Sequence, residues 1–493
     1  MAALRVGTRA VEGRFQTNGG AMAPSVRLLP PNREAKPRSN HSAAPGKARR
    51  RAGPMPLWRV AVFVSVALNV ATLALLLHHY ATSPPHHHNH HDGALTRSSD
   101  AVDRQARTAS MAPSTGKPAV TPDSVINLDH GDPTMFEAFW RETGDAAELV
   151  IPGWQTMSYF SDVTNVCWFL EPELDRQVRR LHRTVGNAAV DGYHVLVGTG
   201  STQLFMAALY ALSPDSGDEP VSVVSTAPYY SSYPAVTDFL RSGLFRWAGD
   251  ADTFEGDSYI ELVCSPNNPD GTIREAVLAS KTGNGKTVHD LAYYWPQYTP
   301  ITKRADHDIM LFTVSKSTGH AGTRIGWALV KDRAIARKMT KFVELNTIGV
   351  SKDSQLRAAK VLAAVSDGYE RRPEQAKGTT TPPHRLFDFG RRKMVERWSM
   401  LRASAAASGI FSLPEETSGF CNFTKETAAT NPAFAWLRCD REDVDDCASF
   451  LRGHKILTRS GAQFGADPRY VRVSMLDRDD AFDIFVNRLS SLK

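Results

Sequence analysis

Short apolar runs that alternate with helical stretches constrain the fold of this chain more than any other feature of its sequence. These runs are rich in β-branched residues, and they lack the regular alternation of polar residues that marks a half-exposed strand. Such runs are typical of a mostly parallel sheet that is covered by helices on both faces. We therefore predict an α/β fold with strands at 194–197, 221–225, 259–264, 287–290, 309–314 and 325–330.

Changes in composition divide the 493 residues into six predicted segments. A chain of this length exceeds a single compact core, so we expect more than one structural unit. The predicted segments are a disordered basic tail at 1–56, a transmembrane signal anchor at 57–78, a linker at 79–122, an amino-terminal arm with part of a small domain at 123–190, a large domain at 191–370 and a small α+β domain at 371–493. Helices are predicted at 171–190, 202–212, 332–365 and 391–408.

An uncharged run of 18 residues at 60–77 predicts a membrane-spanning helix. A cleaved signal peptide is the less favoured interpretation, because the run starts far from Met1. Basic residues cluster before the run, and no Lys or Arg follows it until Arg97. By the positive-inside rule we expect a single-pass protein of the endoplasmic reticulum membrane, with a cytosolic amino terminus and a lumenal main part. The sequon at Asn422 agrees with a lumenal location.

The net charge of +6 comes from the amino-terminal tail, because Glu12 and Glu34 are the only acids among residues 1–59. Nothing in the rest of the chain predicts a nucleic-acid-binding surface. The five cysteines form no CxxC pair and no metal-ligand spacing. We therefore expect mostly small buried thiols and no disulfide scaffold. The histidine run at 86–91 lies in a polar linker with no groups to orient it, so we predict no resident metal.

The stretch FTVSKSTGHAGTRIGWA at 312–328 contains the most informative lysine of the sequence. Lys316 leaves a predicted buried strand and enters a loop of Ser, Thr and Gly. A second loop, GTGSTQL at 198–204, opens a predicted helix, and a helix amino terminus offers free N–H groups and a positive dipole end to a phosphate. We predict that a phosphate is bound by Gly200, Ser201, Thr202, Thr313, Ser315 and Arg324.

Polar and aromatic residues also follow the neighbouring predicted strands. Asn268 lies in the turn SPNNPDG, Asp290 and Tyr293 lie in HDLAYYWP, and Tyr230 lies in APYYSSYP. Because ligands of open α/β sheets bind at the carboxyl ends of the strands, we expect these side chains to meet Lys316. Their order along the chain predicts a site for pyridoxal phosphate (PLP).

Each residue has a distinct role in the predicted PLP site. Lys316 would form the Schiff base and move a proton at the substrate α-carbon. Asp290 would keep the pyridine nitrogen protonated through a charge-assisted hydrogen bond. Asn268 and Tyr293 would reach the 3′ oxygen. Tyr230 is our choice for the ring that stacks on the pyridine, and its neighbours Tyr229 and Tyr233 are expected to include at least one ordinary packing residue.

These motifs resemble those of the fold-type-I PLP enzymes of the alliinase and plant tryptophan-aminotransferase-related family. The resemblance runs from about residue 124 to the carboxyl terminus, and the Lys316 stretch and the NNPDG turn are its most specific parts. It implies a large PLP-binding domain and a smaller α+β domain. It also implies transfer of the amino group of L-tryptophan to a 2-oxo acid such as pyruvate, which gives indole-3-pyruvate and L-alanine in auxin biosynthesis. An anchored amino terminus fits the longer members of the aminotransferase branch.

The motifs leave other reactions open. A C–S lyase of the alliinase type, or an aminotransferase for another aromatic or aliphatic amino acid, would use the same lysine and aspartate. Alliinases have a cysteine-rich EGF-like module before the catalytic domain, whereas this chain has no cysteine before Cys167. We therefore favour the aminotransferase. A membrane-tethered binding protein without activity is disfavoured, because Lys316, Asp290 and Tyr293 are all present.

The resemblance also implies a substrate clamp and a partner chain. An arginine of the small domain would bind the substrate carboxylate, and Arg472 fits this position, with Arg469 and Arg459 as competing choices. Fold-type-I enzymes are usually homodimers whose sites borrow residues from the neighbouring chain. Tyr159 is predicted to reach the phosphate bound by that neighbour.

Overall fold

A computed structural model describes residues 119–215, 219–278, 285–370 and 384–493. The predicted basic tail, the predicted anchor and nearly all of the predicted linker lie outside these ranges. Within the ranges, no helix combines the length and the apolar character that crossing a membrane requires. The predicted boundary between the large and small domains stays a prediction.

Strands and helices are numbered here in chain order. The strands are β1 (Ile126–Asn127), β2 (His194–Thr199), β3 (Val221–Ser225), β4 (Phe245–Asp250), β5 (Tyr259–Cys264), β6 (Lys286–Asp290), β7 (Ile309–Thr313), β8 (Ile325–Val330), β9 (Phe411–Ser412), β10 (Ser418–Cys421), β11 (Glu426–Ala429), β12 (Phe434–Cys439), β13 (Ile456–Leu457), β14 (Arg459–Ser460) and β15 (Tyr470–Ser474). The α-helices are α1 (Glu137–Thr143), α2 (Pro172–Val185), α3 (Gly200–Leu212), α4 (Ser232–Phe239), α5 (Val314–Ser317), α6 (Arg333–Thr347), α7 (Lys352–Glu370), α8 (Leu386–Ser408), α9 (Cys447–Gly453) and α10 (Asp479–Ser491).

The central sheet has seven strands in the order β2-β8-β7-β6-β5-β3-β4. Strand β8 runs antiparallel to both of its neighbours, and the other four pairings are parallel. This arrangement confirms the predicted mostly parallel sheet. Strands β5, β7 and β8 are buried along their whole length, which explains their continuous apolar sequences. Strand β4 was not predicted, because it lies at the sheet edge and is only partly buried.

Close packing of helix α3 against the sheet brings two loops of the predicted site together. A Cβ atom at Gly326 in β8 would lie 2.6 Å from the Gly200 carbonyl carbon and 3.0 Å from the Phe312 oxygen. No other residue type fits between these backbones. The start of α3 therefore lies beside the end of β7, which leads directly into the loop with Lys316.

Helix α2 shows how local sequence signals set the helix bounds. Pro172 occupies the first turn, where its missing N–H costs nothing. Gly186 ends the helix at φ +73°, a left-handed conformation that glycine adopts without strain. The prediction of a helix in 171–190 is thus confirmed. The predicted helix at 332–365 is instead two helices, α6 and α7, because Ile348 and Gly349 take positive φ values between them.

The carboxy-terminal region forms a second, antiparallel sheet in the order β14-β15-β12-β9. Strand β1 of the amino-terminal arm pairs in parallel with β13, and the Ser474 amide donates to the Leu128 carbonyl at 2.9 Å. These bonds fix the arm next to β15. The following loop, 129–132, is thereby held near the end of β7, as shown by the contact of Gly131 with Lys316.

One covalent link was not visible in the sequence. Cys439 at the end of β12 and Cys447 at the start of α9 form a disulfide, with Cα atoms 5.6 Å apart. The spacing of eight residues suits no recognised motif, and the pairing depends on the turn between the two elements. The remaining cysteines, Cys167, Cys264 and Cys421, are free and buried, as expected.

Candidate active site

A cavity of about 200 Å³ lies at the carboxyl ends of the central strands. It brings together residues from five separate sequence motifs, which confirms that the strand ends meet. Its lining includes the predicted residues Ser201, Thr202, Tyr230, Asn268, Asp290, Tyr293, Thr313, Ser315, Lys316 and Arg324. Sequence reasoning missed Cys264, Ala292 and Ala321, which also line the cavity and have no distinguishing pattern.

Lys316 lies in the short helix α5 and points into the cavity. Its Nζ donates to the Gly131 carbonyl and lies 5.7 Å from the centre of the Tyr293 ring. Tyr298 Oη and Gln297 Nε2 donate to the Lys316 carbonyl at 3.1 and 3.2 Å, which fixes the backbone. Burial, with a smaller contribution from the charge of Arg472, lowers the pKa of Lys316 to about 8. A larger fraction of neutral amine is therefore present near neutral pH, as a nucleophile or base requires.

Asp290 lies at the end of β6 with its carboxylate held in place. Tyr233 Oη donates to Oδ2 at 3.0 Å and the Ala292 amide donates to Oδ1 at 3.2 Å. Burial raises the pKa of Asp290, while these two hydrogen bonds act in the opposite direction. No cationic side chain within the described ranges forms an ion pair with it. A buried carboxylate without a counter-ion matches a ligand that presents a protonated ring nitrogen.

The three tyrosines of the APYYSSYP stretch have different positions. Tyr230 lines the cavity, as predicted, and packs edge-to-face on Tyr233 with ring centres 5.3 Å apart. Tyr229 instead packs against Trp247 at 4.9 Å. Tyr233 is buried and bonds to Asp290, so it positions the carboxylate rather than merely filling space. Spacing alone could not separate these neighbours.

The opposite end of the cavity is suited to an anion. Helix α3 starts there, and Arg324 follows the loop that contains Lys316. The Gly200 amide donates to the Arg324 carbonyl at 3.0 Å, so Gly200 positions the arginine and does not offer its own N–H to a phosphate. A positive helix end and a guanidinium together favour a phosphate group.

Two hydroxyl groups complete this end of the cavity. The Thr313 hydroxyl accepts from the Ser315 amide at 3.1 Å and lies 3.0 Å from the Ile325 carbonyl, to which it can donate. Thr313 therefore fixes the start of helix α5. Ser315 lies at the first turn of that helix, beside Lys316, with its hydroxyl 3.1 Å from that of Thr313.

Asn268 and Tyr293 lie together, as the sequence predicted. Asn268 Nδ2 is 3.5 Å from Tyr293 Oη, and both side chains are buried. Asn268 Oδ1 accepts from Arg472 Nη1 at 3.0 Å, which orients the amide with its N–H groups towards the tyrosine. Two donors thus converge on one side of the cavity. They can bind a ring oxygen such as the 3′ oxygen of PLP.

Arg472 is the best placed of the three competing arginines. Only 2% of its surface is exposed, and its Nε has no hydrogen-bond partner among the described residues. Its remaining nitrogens donate to Asn268 and to the Asp129 carbonyl. Burial and the nearby charge of Arg459 lower the pKa of Arg472 to about 10, so it stays charged at neutral pH. A buried cation with a free donor is suited to a carboxylate ligand.

The two other arginines are already engaged. Arg459 Nε pairs with Asp129 Oδ1 at 2.6 Å, and its Nη1 donates to Ser231 at 3.0 Å. Arg469 donates to backbone carbonyls, including that of Arg441 at 2.8 Å. Arg459 thus links β14 to the amino-terminal arm and to the loop before α4, and Arg469 binds the chain that follows β12. The geometry therefore agrees with the choice of Arg472.

Tyr159 does not line the cavity of its own chain. Its side chain is 69% exposed and lies in a surface segment next to 347–353. The prediction placed it in the site of a neighbouring chain, so it stays a prediction.

The cavity residues fit PLP at each of its functional groups. The start of α3 and Arg324 suit the phosphate, Asp290 suits the ring nitrogen, and Asn268 with Tyr293 suits the ring oxygen. Lys316 lies in the same cavity with a lowered pKa. The uncompensated Asp290 carboxylate is the strongest single sign of the fit, because a protonated ring nitrogen supplies the missing charge.

Comparison with known proteins agrees with this interpretation. Residues 126–493 match the allinase family model. Tryptophan aminotransferase-related protein 2 of Oryza sativa subsp. japonica is 88% identical and aligns over 100% of both chains. The protein of the same name from Arabidopsis thaliana is 56% identical over 75% of this chain and 82% of its own. Alliin lyase 1 of Allium sativum is 37% identical over 72% of each chain.

Solved structures support the fold. An aminotransferase from Staphylococcus aureus superposes with a TM-score of 0.54 at 18% identity, over 78% of this chain and 97% of its own. The aspartate aminotransferase from Rhizobium meliloti gives a TM-score of 0.51 at 19% identity, over 80% and 96%. These likenesses show the fold-type-I architecture. The chain therefore belongs to the alliinase family of PLP-dependent enzymes with the fold-type-I aminotransferase fold.

Proposed function

We propose that this enzyme transfers the amino group of L-tryptophan to pyruvate, which yields indole-3-pyruvate and L-alanine in auxin biosynthesis. The environment of the Arg472 guanidinium is the observation that best supports this proposal. The guanidinium lies 4.2 Å from the centre of the Phe434 ring and 5.3 Å from that of Phe464, with Nε unpartnered. A free donor beside two aromatic rings suits an amino acid with an aromatic side chain.

The reacting amine lies close to this aromatic wall. A Cβ atom on Gly131 would be 2.7 Å from Phe434 Cζ and 3.0 Å from Lys316 Nζ, so the ring tip and the amine flank the same small space. Gly131 keeps that space open. A substrate whose carboxylate is held by Arg472 would thus place its side chain near Phe434 and its α-carbon near Lys316.

The chain's own residues have separate tasks in the proposed reaction. When bound, PLP supplies an electron-withdrawing ring that stabilises negative charge at the substrate α-carbon. Lys316 Nζ accepts and returns the α-proton, and its lowered pKa keeps it able to accept. Asp290, held by Tyr233, keeps a proton on the ring nitrogen. Arg472 orients the substrate carboxylate, and the buried walls exclude water from the amine.

Substrate comparison tests the proposal. We expect the purified chain with PLP and pyruvate to form indole-3-pyruvate from L-tryptophan. Arg472→Lys should raise KM for L-tryptophan by at least about tenfold, since a charge-assisted hydrogen bond is lost. Arg469→Lys, on the same strand region, is the matched control and should leave KM unchanged. Release of pyruvate and ammonia from an S-substituted cysteine sulfoxide, with no product from L-tryptophan, would instead identify a C–S lyase.

We further propose a homodimer formed through the segment 150–163. Large apolar side chains of this segment are exposed, among them Val150 (83%), Trp154 (73%) and Met157 (82%). Exposed apolar side chains grouped in this way mark protein–protein interaction sites. In this arrangement Tyr159 would reach the cavity of the partner. Analytical ultracentrifugation should show a dimer for the parent chain and a monomer for Trp154→Glu; a dimer in both cases would exclude this surface.

The proposed location is the endoplasmic reticulum membrane, with residues 57–78 as a single anchor and the catalytic part in the lumen. The Cys439–Cys447 disulfide supports a lumenal position, because disulfides persist in oxidising compartments. Asn422 is exposed, which leaves its sequon accessible. Protease protection in intact microsomes tests this topology: digestion of the catalytic part without detergent would contradict it.

A further inference from the structure

A second cavity, of about 540 Å³, lies on the other side of strand β6 from the active site. Successive side chains of a strand point to opposite faces, so His289 faces away from its neighbour Asp290. His289 lines this second cavity together with His307, which precedes β7, and Glu275, which follows β5. None of these three residues has a role in the proposed reaction.

The histidines present an unusual arrangement. Their rings stack with centroids 3.5 Å apart and an angle of 10° between the planes. Only 7% of the His289 surface is exposed, and its Nδ1 has no hydrogen-bond partner within the described ranges. A buried ring nitrogen without a partner is rare in proteins and calls for a ligand or an ion. Burial, with the charges of His307 and Lys303, lowers the pKa of His289 to about 3, so the ring is neutral.

The geometry points to a binding site for a divalent transition metal of the Zn²⁺ class, coordinated by His289, His307 and Glu275. One ligand atom from each residue can be chosen so that all three lie within 4.8 Å of one another. Two neutral imidazoles and a carboxylate favour Zn²⁺ over Mg²⁺ or Ca²⁺, which prefer oxygen ligands. Water would complete the coordination from the open cavity. This site is independent of the proposed transamination.

Metal binding requires His307 to rotate out of the stack, because the in-plane lone pairs of two nearly parallel rings 3.5 Å apart cannot both point at one ion. Zn²⁺–nitrogen bonds are about 2.1 Å long, so two ligands of one ion lie at most about 4.2 Å apart. Glu275 is exposed and His307 is only partly buried, so both side chains can rotate towards His289. Glu275 forms an ion pair with Lys303, and the two side chains are 58% and 59% exposed. Such an exposed pair contributes little stability and yields readily to a metal.

The surrounding charges are also compatible with a cation. Asp306 and Asp308 line the cavity, and Lys331 pairs with them at 3.1 and 3.6 Å. Lys286 lies at the same rim. Lys303 is the cation that directly occupies the Glu275 carboxylate. Lys303 should therefore compete with the metal for Glu275. Its removal should strengthen metal binding, whereas removal of a ligand should weaken it.

The experiment measures Zn²⁺ binding to the full-length holoenzyme by titration calorimetry. The five histidines of the 86–91 run are first replaced by serine, because that run can bind metals by itself. We expect one Zn²⁺ per chain, and visible d–d absorption when Co²⁺ is used instead. His289→Gln and Glu275→Gln should each weaken binding at least about tenfold, since loss of a group that merely orients a ligand already costs about 10- to 100-fold.

Two further variants distinguish a specific metal site from non-specific metal binding. Lys303→Met should tighten Zn²⁺ binding several-fold, because it frees the Glu275 carboxylate. His454→Gln, which replaces an exposed histidine elsewhere, should change nothing. Glu275→Gln alters only an exposed side chain, so its effect does not depend on the folding of a core variant. No saturable binding in the parent, or equal binding in parent and Glu275→Gln, would overturn the proposal.

Discussion

Replacement of Gly200 by alanine tests whether helix α3 and Arg324 bind the cofactor phosphate. Gly200 adopts φ +73°, and a Cβ atom there would overlap Arg324 Nη2 and lie 3.2 Å from its Cζ. The substitution therefore has two effects: backbone strain and displacement of the guanidinium. The first lowers stability, and the second lowers the affinity for PLP.

A matched control separates these effects. Gly186 ends helix α2 at the same φ of +73°, but a Cβ atom on it would meet nothing within 4 Å. Left-handed backbone costs an alanine about 1–2 kcal/mol, so both variants should lose a similar free energy of unfolding. Only Gly200→Ala should also displace Arg324. Loss of one charge-assisted hydrogen bond, about 1.5–3 kcal/mol, corresponds to PLP binding weaker by about 10- to 150-fold.

The assay is a titration of each apoenzyme with PLP, followed by its absorbance, alongside denaturant unfolding. We expect similar unfolding free energies for Gly200→Ala and Gly186→Ala and a weaker PLP affinity for Gly200→Ala alone. Equal PLP affinities in the two variants would refute the assignment of the phosphate to the Gly200 loop and Arg324.

Other consequences of the site are testable in the same way. Lys316→Ala should remove the absorbance of lysine-bound PLP while circular dichroism stays unchanged; a retained spectrum would exclude Lys316. Asp290→Asn should lower kcat by about 10- to 150-fold through loss of one charged hydrogen bond, and normal turnover would exclude its role. Tyr233→Phe should lower kcat by up to about 10- to 150-fold, because a hydrogen bond to the charged Asp290 carboxylate is lost. The pKa of Lys316 is lowered to about 8. The rate at which the apoenzyme binds PLP covalently should therefore rise with pH and level off above about 8. A rate that keeps rising up to the ordinary lysine pKa of about 10.4 would contradict this.

Those parts of the site that follow central strands could be predicted from the sequence. Lys316 and Asn268 follow buried strands, Asp290 ends the strand between them, and the carboxyl ends of parallel strands meet at one edge of an α/β sheet. The arrangement of strands then follows from the fold. For this reason the cavity lining was largely anticipated.

Long-range contacts could not be predicted from any local pattern. Gly131 contacts Lys316 across 185 residues, because the pairing of β1 with β13 fixes the arm there. Arg459 and Arg472 lie opposite each other in neighbouring strands. Only the structure shows that Arg459 pairs with the Asp129 carboxylate, whereas the Nε of Arg472 has no partner among the described residues.

Side-chain direction set a further limit. Tyr230 and Tyr233 lie three residues apart near the start of helix α4, and the sequence cannot show which one lines the cavity and which one bonds to Asp290. Strand β4 was missed because it is an edge strand in which only one of six residues is buried. The stacked pair of His289 and His307 joins a residue of β6 to the loop that precedes β7, and no spacing rule predicts it.

The most direct test of the proposed reaction is to follow the amino group itself. L-tryptophan labelled with ¹⁵N would be incubated with the holoenzyme and pyruvate, and the label followed by mass spectrometry. We expect ¹⁵N-alanine and indole-3-pyruvate in equal amounts, with none of either from Lys316→Ala. Label released as ammonia, or alanine that stays unlabelled, would contradict amino transfer from L-tryptophan to pyruvate.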